Sequence, residues 1–105
     1  MTSDTVQAFY LESITLSREE LIDRSGLSEL ELAALVDAGA LPLPDPQGYS
    51  FTVECLAVAR TACRLRDELA LDDTHALVVV LRLTQRIGAL EDELAQLRRR
   101  PLRGR

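Results

Sequence analysis

The sequence predicts a mainly α-helical domain: a helix-turn-helix, a small β wing and a long C-terminal helix. Three observations predict it. The pattern Leu-Ser-x-x-Glu-Leu occurs at 16–21 and again at 27–32. A proline-rich stretch, ALPLPDPQGYSF, follows at 40–51. Apolar residues then alternate spacings of three and four from Val80 to Leu97.

The first expected element is a short strand at 5–11, TVQAFYL, where Val6, Ala8 and Tyr10 alternate with other residues. Next come two helix starts. Ser17 can accept from the Glu20 backbone N–H while the Glu20 carboxylate reaches back to the Ser17 N–H, with Leu16 and Leu21 as the flanking hydrophobic staple. Ser28, Glu31, Leu27 and Leu32 repeat that arrangement. The first helix must therefore stop at Ser25-Gly26, because glycine accepts the left-handed backbone of a tight turn. The second helix runs from Glu29 to about Ala38 and is closed by Gly39. Two helices joined by a short Gly-containing turn make a helix-turn-helix over 17–39, although an ordinary helical hairpin shares the pattern.

In the stretch at 40–51, Pro42, Pro44 and Pro46 forbid helix, and Asp45-Pro46-Gln47-Gly48 supplies turn chemistry. Leu41–Leu43 and Tyr49–Phe51 are expected to flank that turn as the wing. Thr52 caps a third helix over 52–70, with a polar stripe of Arg60, Arg64, Asp67 and Glu68 opposite an apolar side. A fourth helix begins at Asp72 or Asp73, whose carboxylates suit the positive end of the helix dipole, and continues to about Arg100 before Pro101.

Within that last helix Val80, Leu83, Ile87, Leu90, Leu94 and Leu97 form a heptad seam. Its charges segregate into Arg82 and Arg86, then Glu91-Asp92-Glu93, then Arg98-Arg99-Arg100. Blocks so far apart pair poorly within one helix and better across a partner helix, which points to a homodimer joined by a short coiled coil. The other reading is a long helix packed on its own domain. Residues 101–105 are expected to be a disordered basic tail beyond a single domain at 1–100.

The chain has 105 residues, a formal net charge of -5 and no lysine. Its longest apolar run, Ala76 to Leu81, is too short to cross a bilayer, and the first residues lack a basic-then-apolar signal pattern, so a cytoplasmic address is expected. Cys55 and Cys63 fall about 12 Å apart on one helix, too far for a bridge, and read as small apolar residues. His75 is the single histidine and sits at a helix start with no second ligand at metal spacing. No phosphate loop, nucleophile motif or zinc pattern is present, so neither catalysis nor a cofactor is expected.

The layout resembles the MerR group of regulators, which combine a helix-turn-helix, a wing, further helices and a long antiparallel dimerisation helix. In those regulators function depends on a basic second helix and wing. Here Ser25 to Ala59 contains no arginine, whereas Glu29, Glu31, Asp37, Asp45 and Glu54 are acidic. A recognition helix presents its N-terminal residues to base edges, where arginine, asparagine and glutamine do most of the reading, and phosphate contact supplies most non-specific affinity. This helix offers Ser28, Glu29, Leu30 and Glu31. Residues 17–50 hold two arginines and seven acids, so the net charge of the whole chain is concentrated on the element that would meet DNA.

A closer resemblance covers about residues 5–100. The segment LSREELIDRSGLSELELAALVDAGALPLPD, the pair Tyr49 and Phe51, RLRDELALD at Arg64 to Asp72 and the leucine-spaced final helix resemble the bacterial chaperone-modulator proteins of the CbpM type. The resemblance implies a MerR-like fold that binds the J domain of a DnaJ-like, CbpA-type co-chaperone and inhibits both its co-chaperone action and its DNA binding. An acidic module suits the basic helix of a J domain. The candidate docking residues are Glu29, Glu31 and Asp37 for charge and Leu30 as an apolar anchor, with Leu32, Leu35 and Val36 in the core. Asp45 and Tyr49 form a second candidate patch, and Tyr49 could equally pack between wing and third helix. The alternative is a MerR-like transcriptional regulator that binds DNA as a dimer through arginines of the third helix and tail.

Overall fold

In the computed structural model residues 15–42 and 50–100 are described. Strand β1 (Thr15–Leu16) leads into α1 (Arg18–Ser25) and α2 (Glu29–Asp37). Strand β2 (Phe51–Thr52) leads into α3 (Val53–Glu68) and the long α4 (Thr74–Arg99). The two strands form an antiparallel pair with Leu16 opposite Phe51.

Both helix starts form as their sequence implies. The Ser17 N–H donates to Glu20 Oε1 at 2.8 Å and the Glu20 N–H to Ser17 Oγ at 3.1 Å. Ser28 and Glu31 show the same distances. All four staple leucines, Leu16, Leu21, Leu27 and Leu32, are buried, so each box also steers the entering chain into the core. Gly26 ends α1 at φ 88° with its N–H on Ile22 O, and the Leu27 N–H takes Ser25 Oγ at 3.2 Å. Helix α2 closes with bonds from the Gly39 N–H to Val36 O and the Ala40 N–H to Leu35 O, the pair that satisfies the last carbonyls around a left-handed residue.

The Glu20 box has a pH signature. Its carboxyl lies below the usual value, chiefly because the Ser17 N–H binds the charged form and secondarily through the Ser17 hydroxyl and Arg24. A depressed folded pKa contributes stability that is complete above the unfolded value and is lost as pH falls through the folded one. Thermal unfolding of Glu20→Gln should therefore depend less steeply on pH below about 4.5 than that of the parent. Identical slopes would mean that the box gives no folded-state preference for the charged carboxylate.

The core lies where α1 and α2 meet α3 and the first part of α4. Leu21, Leu32, Leu35, Phe51, Cys55, Leu77 and Leu81 are its largest fully buried side chains. Val36 is half-buried against them. Asp73 caps α4 by accepting from the His75 N–H at 3.2 Å, and His75 itself is exposed.

The strand pairing differs from expectation. Phe51 pairs with Leu16, ahead of α1, whereas Leu41 is buried without joining a strand. Pro42 has no N–H for a ladder, and its carbonyl instead accepts from the Cys55 thiol at 2.9 Å. Pairing through Leu16 buries Leu16 and Phe51 together. The expected strand at 5–11, the turn at 45–48 with Leu43 and Tyr49 beside it, and the tail at 101–105 lie outside the described residues.

Candidate functional site

The outward face of α2 is built by helical spacing. Leu30, Ala33 and Asp37 follow at i, i+3 and i+7, with Glu29 four residues before Ala33, while Leu32 and Leu35 turn into the core. Leu30 is 77% exposed, the most exposed large apolar side chain among the described residues. Glu29 stands beside it and meets Arg18 at 3.7 Å, with its own side chain 76% exposed. Asp37 is exposed at the opposite end of α2, about 10 Å along the axis from Leu30, so it belongs to a separate part of the face.

Glu31 is placed differently. Its carboxylate is turned toward α3, is only 15% exposed, and accepts from both the Ser28 N–H at 2.8 Å and Arg66 Nη1 at 2.7 Å. Its charge is neutralised within the fold. The face that a partner meets therefore carries Glu29 and Leu30 at one end and Asp37 at the other. Asp45 and Tyr49, the second candidate patch, lie outside the described residues.

Arg66 is the functional-site residue that the polar-stripe reading passed over. Besides Glu31 it reaches the Gly26 carbonyl through Nη1 at 3.3 Å, Asp67 Oδ1 through Nε at 2.9 Å and Cys63 Sγ through Nη2 at 3.3 Å. Its guanidinium is held above the ordinary arginine pKa, first by Asp67 and then, against the cost of desolvation, by Glu31. A signal for it was present in the sequence. Residues two apart on a helix cannot share a face, so with Arg64 on the solvated stripe, Arg66 must turn toward the body of the domain.

Other arginines also bind backbone. Arg60 Nε donates to Arg24 O at 3.3 Å, and Arg82 Nη1 donates to Gly39 O at 3.0 Å beside a bond from Gln85 Nε2 to Ala40 O at 3.1 Å. Arg82 and Gln85 thus bind the carbonyls of the turn that follows α2 and tie it to α4. Arg82, placed by the sequence in a charge block with Arg86, therefore also has a contact within the fold.

Helix α4 has two apolar faces. Leu77 and Leu81 point into the core and Val80 is half-buried, whereas Leu83, Ile87, Leu90, Leu94 and Leu97 are all exposed. No helix of the described residues is long and apolar enough to cross a membrane. Among the described residues no group of His, Cys, Asp and Glu could hold a metal ion.

No curated protein matches the chain. A model of the MerR HTH family of regulatory proteins matches residues 16–99. That span runs from the staple leucine ahead of α1 to the last residue of α4, and it takes in the helix-turn-helix, the capping boxes and the Arg66 contacts. The chain belongs to the MerR helix-turn-helix family of regulatory proteins.

Proposed function

We propose that this MerR-family protein is a dimeric, cytoplasmic chaperone modulator, an interaction protein without catalysis, whose helix-turn-helix docks the J domain of a DnaJ-like co-chaperone and inhibits its co-chaperone and DNA-binding activity. The observation that carries the reading is the N-terminal turn of α2. The end of a recognition helix that would meet base edges offers exposed Leu30 and Glu29, and the arginines nearest to it are engaged, Arg18 with Glu29 and Arg66 with Glu31. An exposed leucine beside the Glu29 carboxylate suits a basic, partly apolar protein helix and is poorly matched to phosphate. The resemblance of RLRDELALD and the final helix to CbpM-type modulators supports the same partner.

The test is a titration of the full chain against the isolated J domain, with duplex DNA at equal salt as control. Saturable J-domain binding that weakens with added salt is expected. Leu30→Asp should reduce that affinity by about tenfold or more, and Glu29→Arg by a smaller, salt-dependent factor. Both side chains are exposed, so thermal stability should hardly change.

The second reading is a transcriptional regulator that binds DNA as a dimer. Exposed Arg60 and Arg64 on α3 and Arg98, Arg99 and Arg100 at the end of α4 favour it. DNA binding without J-domain binding in the same titration would decide for it.

A further inference from the structure

We infer that Arg66 is the positioning residue for the docking end of α2, a clamp that holds the helix-turn-helix turn against α3. Its guanidinium touches both sides of the turn. Nη1 binds Gly26 O, where α1 ends, and Glu31 Oε1, the same oxygen that caps the Ser28 N–H where α2 begins. Asp67 and Cys63, both on α3, hold the rest of the fork, through Nε and Nη2. One side chain therefore joins the C-terminus of α1, the N-cap of α2 and the last turns of α3.

Leu30 and Glu29 occupy the first turn of α2, between Ser28 and Glu31. Their orientation follows from that of the cap. The hydrophobic core holds α2 through Leu27, just ahead of its cap, and through Leu32 and Leu35, beyond its first two residues. Between these anchors Arg66 supplies the closest polar restraint on the turn, at 2.7 Å from Glu31, beside the looser surface contact of Glu29 with Arg18 at 3.7 Å. A lysine replaces Arg66 poorly, since an ammonium in the place of Nη1 gives up the Nε bond to Asp67 and the Nη2 contact with Cys63 that aim the group at the turn.

The inference concerns presentation of the docking residues and rests on the reading that a partner meets α2 at Leu30. Arg66→Gln and Arg66→Lys would be compared with Glu68→Gln, an exposed neighbour that does not touch the turn. Three quantities would be measured: melting temperature, backbone amide exchange and J-domain affinity. With Arg66→Gln, the hydrogen-bonded amides of the turn, those of Leu27, Ser28 and Glu31, should exchange at least about tenfold faster, while those in the middle of α3 keep the protection set by global stability. J-domain affinity should fall by about the same factor. Arg66→Lys should not rescue it, and Glu68→Gln should match the parent. Adding Glu31→Gln to Arg66→Gln should cost little more, because the ion pair is already lost and the glutamine amide oxygen still accepts from the Ser28 N–H.

Unchanged exchange at Leu27, Ser28 and Glu31, or faster exchange spread evenly over all helices, would overturn the clamp. So would J-domain binding by Arg66→Gln at the parent's affinity. If the parent itself binds no J domain, the docking reading fails, and the amide exchange still decides whether Arg66 holds the turn.

Discussion

Gly26→Ala is expected to lower stability by about 3 kcal/mol, enough to drop the melting temperature by roughly 10–20 °C in a domain of this size. Two costs add. Gly26 has φ 88°, in the left-handed region where an L-residue is disfavoured by about 1–2 kcal/mol. A Cβ there would also stand 2.9 Å from Cys63 Sγ, well inside van der Waals contact, and overpacking of this kind costs about 1–3 kcal/mol. The thiol cannot move without cost, because Arg66 Nη2 lies 3.3 Å from it.

A second variant separates the two terms. Gly26→Ala combined with Cys63→Ala should recover the steric share and leave the backbone share, so the double variant should melt above Gly26→Ala alone. Equal melting points would show that the contact with Cys63 carries none of the cost. A loss under about 0.5 kcal/mol for Gly26→Ala would mean that the turn readily adopts another conformation. That result would also weaken the case for a rigid docking end on α2.

Local chemistry was the legible part of this fold. Ser17, Glu20, Ser28 and Glu31 announce two helix starts, and Gly26 and Gly39 two stops, because capping depends only on residues within one turn. Strand pairing was less legible, since Leu16 and Phe51 are far apart in sequence and two-residue strands carry no periodicity to read. Leu16 had been assigned to the staple of α1, and nothing local says that the same residue also pairs with Phe51. At the candidate site, exposure of Leu30 followed from helical phase. The ion pair of Glu31 did not, although its cap did, because counting charge along a sequence leaves every carboxylate unneutralised. The partner that neutralises it, Arg66, is contributed by α3, beyond the intervening proline-rich segment.

That pairing changes the electrostatic argument without removing it. With Arg18 near Glu29 and Arg66 on Glu31, the first turn of α2 is less negative than its sequence suggests, and the exposed apolar side chain carries more of the recognition. Leu30→Asp is therefore the more discriminating substitution for docking. Glu31 is unsuitable for a charge-reversal test of docking, since changing it would disturb the Ser28 cap and the Arg66 contact together.

Leu90→Asp is expected to convert a dimer into a monomer and to unwind the end of α4. The buried part of this helix ends at Leu81, and among the described residues its last hydrogen bond to another element is made by Gln85. The remaining turns, through Arg99, show Ile87, Leu90, Leu94 and Leu97 to solvent at roughly half exposure or more, and Leu83 is likewise exposed. An isolated helical segment of about fourteen residues is marginal in water, so these turns need a partner to persist. A second copy offers the same leucines in heptad register. Each half-covered side chain then contributes about 1 kcal/mol when buried, and the ten of a symmetric pair, leucines and isoleucines together, can outweigh the entropy of association. Symmetry places two aspartates in the interface for each substitution, so affinity should fall by at least about a hundredfold. Sedimentation should show a dimer for the parent and a monomer for Leu90→Asp at the same concentration, with far-ultraviolet dichroism reporting the loss of the last turns of α4. Leu81-side core packing should survive, and the variant should still unfold cooperatively. A parent that sediments as a monomer near 100 μM, roughly where so small a seam should still associate, would instead assign this face to a different partner.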